Sequence, residues 1–196
     1  YTDPRAWGSL LYMLIAFVTG VFYFTWAVTG LSLSISLLIF IFGFPIALLF
    51  LLSVRGLALL EGRLVEALLG IRMPRRPLFS HQGMKWFDRL KTLLTDKATW
   101  LMIVYMLFQF VLGTIYFVLI VTALTLSLSF IAIPVLQEYF NQGAIMINNN
   151  VRYFFPTWTY PLWVFGGILL WTTFMNIARG VGQLHGKMAK WLLVSE

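Results

Sequence analysis

The chain contains no cysteine, and charged side chains make up only 11% of its 196 residues. Without cysteine there is no disulfide framework and no thiolate metal site. A typical soluble domain is charged at roughly a quarter of its positions, so a charged shell is also missing. Asp, Glu, Lys, Arg and His are absent from residues 6–54, 98–137 and 153–178. Each stretch exceeds the roughly 18 apolar residues that suggest a membrane span, and the composition therefore predicts an integral membrane protein.

Motifs for catalysis and metal binding are missing too. The sequence has no Walker loop, no nucleophile elbow, no zinc-protease motif and no paired carboxylates within a predicted span. Its two histidines, His81 and His185, fall in predicted cytoplasmic segments, and neither has a second ligand at metal-binding spacing. We interpret both as solvated surface residues. We therefore expect no enzyme activity, no cofactor, no metal and no nucleic acid partner.

The sequence contains an internal duplication. Residues 3–40 align without gaps to residues 96–133 at a constant offset of 93. A second alignment, at an offset of 124, matches two charged segments, 55–70 and 179–194, which we call the exit segments. The chain therefore consists of two copies of one unit, and the second copy carries an insert at 137–161. The matches that apolar composition does not explain are Asp3/Asp96, Trp7/Trp100, Tyr12/Tyr105, Gly20/Gly113, Tyr23/Tyr116, Arg55/Arg179, Gly56/Gly180 and Gly62/Gly186.

Each copy is predicted to cross the membrane twice. The uncharged run from Trp7 to Val54 would make about 70 Å of helix against about 30 Å of hydrocarbon. We expect helices over about 7–28 and 32–54, with a reversal near Gly30 and a kink at Pro45. In the second copy we expect crossings over about 100–121 and 162–178. The Leu/Ser alternation within 123–136 leaves a helical, re-entrant or extended conformation open.

The fold class expected is all-α and integral to the membrane. It has four transmembrane helices arranged as two parallel two-helix repeats, with short interfacial amphipathic helices at the exit segments and at about 84–94. In the exit segment 55–70, Glu61, Arg63 and Glu66 form the polar face. The domain division predicted is repeat one at 1–72, a cytoplasmic connection at 73–95 and repeat two at 96–196.

The distribution of Lys and Arg predicts the orientation. Most of the 14 basic residues lie between Arg55 and Lys97 or in the second exit segment, whereas the insert carries only Arg152. The positive-inside rule then places both termini and the connection in the cytoplasm and the insert outside. We expect a multi-pass protein of the bacterial cytoplasmic membrane, with lipids as its surroundings.

Two sets of residues are assigned to the membrane interface and to packing. Trp7, Trp100, Arg55 and Arg179 are predicted interface anchors, because their apolar bodies can stay in hydrocarbon while their polar tips reach headgroups. Small polar residues recur at spacings of three and four, which suits close helix packing or, as the alternative, a lipid or small-ligand site. These residues are Thr29, Ser32, Ser36, Thr122, Thr125 and Ser129.

The predicted spans contain only two strongly polar side chains, Gln109 and Asn176. We interpret both as interhelical hydrogen-bonding groups. Transport and proton pumping usually need ionisable groups at mid-membrane, so this scarcity disfavours a transporter.

The insert is the largest difference between the two copies and is crowded with aromatic residues. One interpretation is an aromatic belt with a loop tip at the outer interface. The other is an outer surface that binds a ligand or a partner protein, using large aromatic contact area and adaptable asparagines. The residues predicted for that surface are Tyr139, Phe140, Tyr153, Phe154, Phe155 and Trp158.

Several of these motifs resemble a family of bacterial sensor domains found N-terminal to histidine kinases, mainly in actinobacteria. The matching positions are Asp3-Pro4 with Trp7, Tyr12 with Gly20, the exit Arg55-Gly56-Leu57-Ala58 with Glu61, Leu68, Gly70 and Arg72, and their second copies at Asp96, Trp100, Tyr105, Gly113 and Arg179-Gly180. The chain departs from the pattern at Lys97, which replaces the proline, and in a weakened second exit motif. The resemblance implies a role in two-component signal transduction with a histidine kinase as partner.

Three functions are consistent with the sequence. The first is a non-enzymatic sensory module, with the outer aromatic loop as input and the exit segments as output. The second is an accessory structural subunit of a larger integral membrane complex. The third is a transporter or membrane enzyme, which the scarcity of intramembrane charge disfavours.

Overall fold

The computed structural model describes residues 4–40, 43–73, 86–140, 145–147 and 151–194. Helix α1 spans Pro4–Leu37, α2 spans Gly43–Leu69, α3 spans Trp86–Thr95, α4 spans Lys97–Phe140 and α5 spans Tyr160–Val194. Between α4 and α5 lie strands β1, Ile145–Ile147, and β2, Val151–Tyr153, and a single 3-10 turn, Thr157–Thr159. In the described part, α1, α2, α4 and α5 are long and apolar enough to cross a membrane. The predicted class of helical membrane protein with four spanning helices is confirmed.

The first reversal lies farther along the chain than predicted, between Leu37 and Gly43. Helix α1 continues through Gly30 to Leu37, and α2 begins at Gly43. A Cβ atom at Gly43 would lie 1.9 Å from the Leu37 carbonyl oxygen, so this position accepts only glycine without a shift of the backbone. Gly30 instead provides space for a neighbour, because a Cβ there would lie 2.1 Å from the Phe50 ring. Pro45 stands in the first turn of α2, where proline is tolerated, and not at a kink.

The Leu/Ser alternation at 123–136 is helical. Helix α4 runs without a break from Lys97 to Phe140 and includes Pro134. The period-two appearance of this stretch therefore does not mark an extended segment. Buried residues recur here at the spacing of a helix, because Ala123 and Ser127, four residues apart, are both buried.

The chain forms two compact units. The first contains residues 1–117 and 179–196, and the second contains residues 118–178. This division cuts through α4 and α5, so it does not test the repeat boundaries 1–72, 73–95 and 96–196, which stay a prediction. In the second unit, β1 pairs with β2 as an antiparallel hairpin, and Trp163 at the start of α5 contacts the rings of Phe130 and Phe155.

In the first unit, α1 and α2 form an antiparallel hairpin. Gly8 near the start of α1 faces Leu68 at the end of α2, and Gly30 faces Phe50. Helix α3 packs against α2, with the rings of Phe44 and Phe87 5.0 Å apart between their centroids. The predicted topology places the start of α2 at the outer side and α3 at the cytoplasmic side, so it does not anticipate this contact.

Helices α1 and α4 meet through two glycines that are equivalent in the repeats. A Cβ atom at Gly20 would lie 2.6 Å from the Gln109 carbonyl oxygen, and one at Gly113 would lie 2.3 Å from that of Ala16. Ala16 and Gln109 are also equivalent in the repeats. Exchanging the two copies therefore converts one of these contacts into the other. The flanking ring stacks, Phe17 on Phe117 and Phe24 on Phe110, repeat in the same way. The duplication has therefore produced a local pseudo-two-fold contact between the copies.

Candidate functional site

Next to the crossing of α1 and α4, four helices of the first unit bury a cluster of polar side chains. Glu61 on α2 and His185 on α5 are 1% and 2% exposed, and both come from exit segments. The remaining members come from α1 and α4. We call the whole set the acid–base cluster: Tyr12, Tyr23, Glu61, Tyr105, Gln109, Tyr116 and His185.

The Glu61 carboxyl group accepts four hydrogen bonds. Its Oε1 atom accepts from the Tyr12 hydroxyl at 2.6 Å, from the Tyr105 hydroxyl at 3.1 Å and from Gln109 Nε2 at 3.3 Å. Its Oε2 atom accepts from the Tyr23 hydroxyl at 3.1 Å. An ionised carboxylate can only accept, so four converging donors suit this form.

The imidazole of His185 contacts three tyrosine hydroxyls. Its Nε2 atom lies 2.6 Å from the Tyr12 oxygen and 3.1 Å from the Tyr105 oxygen. Its Nδ1 atom lies 3.0 Å from the Tyr116 oxygen. Thus Tyr12 and Tyr105 each bridge Glu61 and His185.

Counting protons assigns the direction of these bonds. Each tyrosine hydroxyl has a single hydrogen, and Tyr12 and Tyr105 donate theirs to Glu61. Nε2 of His185 must then carry a hydrogen and donate it to both hydroxyl oxygens. We assign the Nε2-protonated tautomer on this basis, and Nδ1 then faces the Tyr116 hydroxyl.

Most members of the acid–base cluster occur as pairs of equivalent residues in the two repeats. Tyr12 is equivalent to Tyr105, and Tyr23 is equivalent to Tyr116, at the offset of 93. The offset of 124 that aligns the exit segments makes Glu61 equivalent to His185. Tyr23 therefore binds Glu61 as Tyr116 binds His185, and the bridging tyrosines are shared. The copies differ at two cluster positions: an acid in one exit segment stands opposite a base in the other, and Gln109 of α4 corresponds to Ala16 of α1.

The structure corrects two sequence predictions. The sequence predicts Glu61 on the polar face of an amphipathic exit segment and His185 as a solvated surface residue, whereas the structure buries both side chains. Both are buried because the exit segments are continuous with α2 and α5 and pack against α1 and α4. The alignment that pairs Leu60 with Leu184 and Gly62 with Gly186 also pairs Glu61 with His185, and this was the available signal.

The spanning segments therefore contain ionisable groups after all. The candidate spans on α2 and α5 extend to Leu69 and Leu193, so they include Glu61 and His185. A stretch of about 20 residues crosses the hydrocarbon, and counted from Gly43 it would end near Gly62. Charged groups at this depth are costly unless paired, and the cluster supplies those partners. The candidate spans thus do not lack ionisable groups, and their composition gives no reason to disfavour a transporter.

A second charged group on α2 is satisfied in the same way. The guanidinium of Arg55 forms a salt bridge with Asp96 at the junction of α3 and α4 and donates a hydrogen bond of 3.0 Å to the Thr99 hydroxyl. Asp96 also accepts from the backbone N–H groups of Ala98 and Thr99, which caps the start of α4. This network ties the middle of α2 to the start of α4.

The cluster ties four helices of the first unit together, because each of its hydrogen bonds joins side chains of two different helices. Within the described residues, no group of three or more His, Cys, Asp or Glu side chains could hold a metal ion. All polar atoms of the cluster are hydrogen-bonded except the buried Oε1 atom of Gln109. The Gln109 side chain itself donates to Tyr12 and Glu61, which confirms the interhelical bonding predicted for it, whereas Asn176 is exposed. His81 lies outside the described residues.

The small polar residues predicted to pack are exposed in the chain by itself. All six face outward, and the buried small residues are Ser34 and Ser127, which are equivalent in the repeats. The packing role predicted for the six residues stays a prediction. The six exposed residues are Thr29, Ser32, Ser36, Thr122, Thr125 and Ser129.

The predicted anchors and insert residues have varied surroundings, and their roles stay predictions. Trp7 and Trp100 are about half exposed, and the Trp100 indole donates to the Leu94 carbonyl. Arg179 is partly exposed, whereas Arg55 is paired as described. In and beside the insert, Phe155 packs on Trp163 and Tyr153 ends β2. The exposed aromatic residues there are Tyr139, Phe140, Phe154 and Trp158.

Comparison with known protein families identifies a match over most of the chain. A family described as "Putative sensor" matches residues 12–193, which include every member of the acid–base cluster. No curated protein and no solved structure matches the chain. The match covers nearly the whole sequence and agrees with the resemblance of its motifs. The chain belongs to this sensor family.

Proposed function

We propose that the chain is a non-enzymatic, multi-pass membrane sensory module. In this proposal the aromatic insert between α4 and α5 receives the signal, and the two exit segments transmit it to a cytoplasmic protein. Membership of a sensor family supports a sensory role. The membrane is the bacterial cytoplasmic membrane, with both termini on its cytoplasmic side.

One observation carries the output half of this proposal. The Tyr12 hydroxyl oxygen lies 2.6 Å from both Glu61 of the first exit segment and His185 of the second. A buried bond of this kind has two discrete states, formed or broken, because a partly broken one leaves polar groups unsatisfied. The exit segments can therefore change position together, and a signal that shifts one shifts the other.

The partner in this proposal is a histidine kinase. The accessory-subunit hypothesis predicts other structural subunits instead, and it has no support from the family match. Chemical cross-linking in membranes, followed by mild extraction and mass spectrometry, distinguishes the two. We expect a kinase or response regulator, whereas recovery of structural subunits of one complex would contradict the sensory proposal.

Spin labels test whether the acid–base cluster makes the two exit segments move together. The chain has no cysteine, so Arg63→Cys and Lys187→Cys place unique labels at exposed, equivalent positions of the two exit segments. We expect one narrow distance distribution in the parent and a broad one after Tyr12→Phe. Tyr139→Phe, an exposed tyrosine in the second unit, is the matched control and should leave the distribution narrow. An unchanged distribution in Tyr12→Phe would show that the cluster does not couple the exits.

A further inference from the structure

We propose that the groove between the start of α2 and helix α3 binds an anionic phospholipid, with one acyl chain in the groove and the phosphate at Lys91. The lipid site does not depend on the sensory function. It lies at the start of α2, away from Glu61 and the rest of the acid–base cluster. A phospholipid bound there is a specific ligand, beyond the general lipid contact that any spanning helix makes.

The groove is a real concavity with mainly apolar walls. Its volume is about 300 Å³, at the lower end of the range for small-molecule sites. Leu90 forms part of the wall and is only 4% exposed, whereas Phe87 and Leu94 are 64% and 45% exposed. The residues that line it are Phe44 of α2 and Phe87, Leu90, Lys91, Leu94 and Thr95 of α3.

The two walls are held in place before any ligand binds. The rings of Phe44 and Phe87 are in contact at one end. At the other end, the Arg55–Asp96 salt bridge fixes the junction of α3 and α4 to α2. A preformed groove binds a flexible chain at lower entropic cost than a surface that must first assemble. Exposed aromatic and aliphatic walls of this kind suit a hydrocarbon chain.

Charge decides which lipid fits. Lys91 is the charged residue that lines the groove, and its side chain is exposed. Among the described residues it makes no salt bridge, even with Asp88 one turn earlier on the same helix. A lysine at the apolar edge of an amphipathic helix can keep its stem in hydrocarbon and its ammonium at a headgroup. An anionic phosphate headgroup complements this cation, whereas a zwitterionic headgroup brings its own positive charge.

Native mass spectrometry of the purified full chain tests the proposal. The probes are phosphatidylglycerol, phosphatidylcholine, a short-chain phosphatidylglycerol with six-carbon acyl groups, and inorganic phosphate. We expect retention of one long-chain phosphatidylglycerol and about fivefold weaker retention in Lys91→Gln, the effect of one lysine near an anionic lipid surface. Lys190→Gln removes an exposed lysine of α5 and should leave retention unchanged.

The remaining outcomes would overturn the proposal. Equal retention of phosphatidylcholine would mean a groove for hydrocarbon without headgroup recognition. Competition by inorganic phosphate or by the short-chain lipid as strong as that by the long-chain lipid would mean an anion site without an acyl chain. An equal loss in Lys190→Gln would mean a response to net charge alone. Leu94→Trp, which fills the groove without changing charge, should also reduce retention, and unchanged binding in that variant would place the lipid elsewhere.

Discussion

Glu61 and His185 occupy equivalent positions in the two exit segments, and a single atom, the hydroxyl oxygen of Tyr12, lies 2.6 Å from each of them. Their equivalence means that the site has the geometry of a symmetric pair but the chemistry of an acid and a base. A symmetric site with two carboxylates would place like charges in a buried space, and one with two imidazoles would leave the tyrosine donors without an anionic acceptor. Divergence after duplication has produced a complementary pair.

Exchanging the two residues tests this complementarity. The single variants Glu61→His and His185→Glu should each destabilise the protein by about 1–3 kcal/mol, the cost of leaving buried hydrogen-bonding groups without partners. The double variant should recover most of that loss, because Tyr23 and Tyr116 offer the same hydroxyl to either residue. Thermal unfolding in detergent measures all three. A double variant no more stable than the singles would show that the positions are not interchangeable.

The glycines of the α1–α4 crossing offer a second test. Gly20→Ala and Gly113→Ala would each place a methyl group within 2.6 Å of a backbone carbonyl oxygen, so both should lower the melting temperature markedly. Gly56→Ala and Gly180→Ala are matched helical controls with open space around the new methyl group. These controls should be neutral or stabilising by up to about 1 kcal/mol, because alanine favours helix. Similar losses in all four variants would argue against the crossing as a close contact.

The orientation can be tested with single cysteines in the cysteine-free chain. We expect Trp158→Cys to react with a membrane-impermeant thiol reagent added to intact cells, because the insert is predicted to lie outside. Glu66→Cys, in the first exit segment, should react only after the membrane is opened. Both positions are exposed in the structure, so burial does not account for protection. The opposite labelling pattern would reverse the predicted topology.

Removing the insert tests its role as the input. Replacing residues 139–155 by a short Gly-Ser bridge should leave the acid–base cluster intact, because every member lies outside the deleted stretch. We expect normal membrane insertion but loss of signalling and of the co-purified partner. A same-length Gly-Ser replacement controls for the shortened connection. A deletion variant that signals and assembles like the parent would reduce the insert to an interfacial belt.

The sequence by itself determined the class of protein and the number of its long helices. Uncharged stretches of this length cannot be solvated as soluble surface, so composition was enough to predict helices that span a membrane. The duplication was also visible in the sequence, because Asp3, Trp7, Gly20 and Tyr23 match their counterparts in the second copy in register. It also marked both pairs of tyrosines that form the cluster, although not what they bind.

Only the tertiary structure decided where the chain turns and which polar groups are buried. Gly30 is helical and α1 continues to Leu37, because packing against Phe50 and the steric need for glycine at position 43 outweigh the local turn propensity of a single glycine. Glu61 and His185 have the local surroundings of surface residues, and their burial depends on α1 and α4 supplying five polar partners from distant parts of the chain. Burying a charge is favourable only when such partners are in place, and this condition belongs to the assembled helices rather than to any one segment.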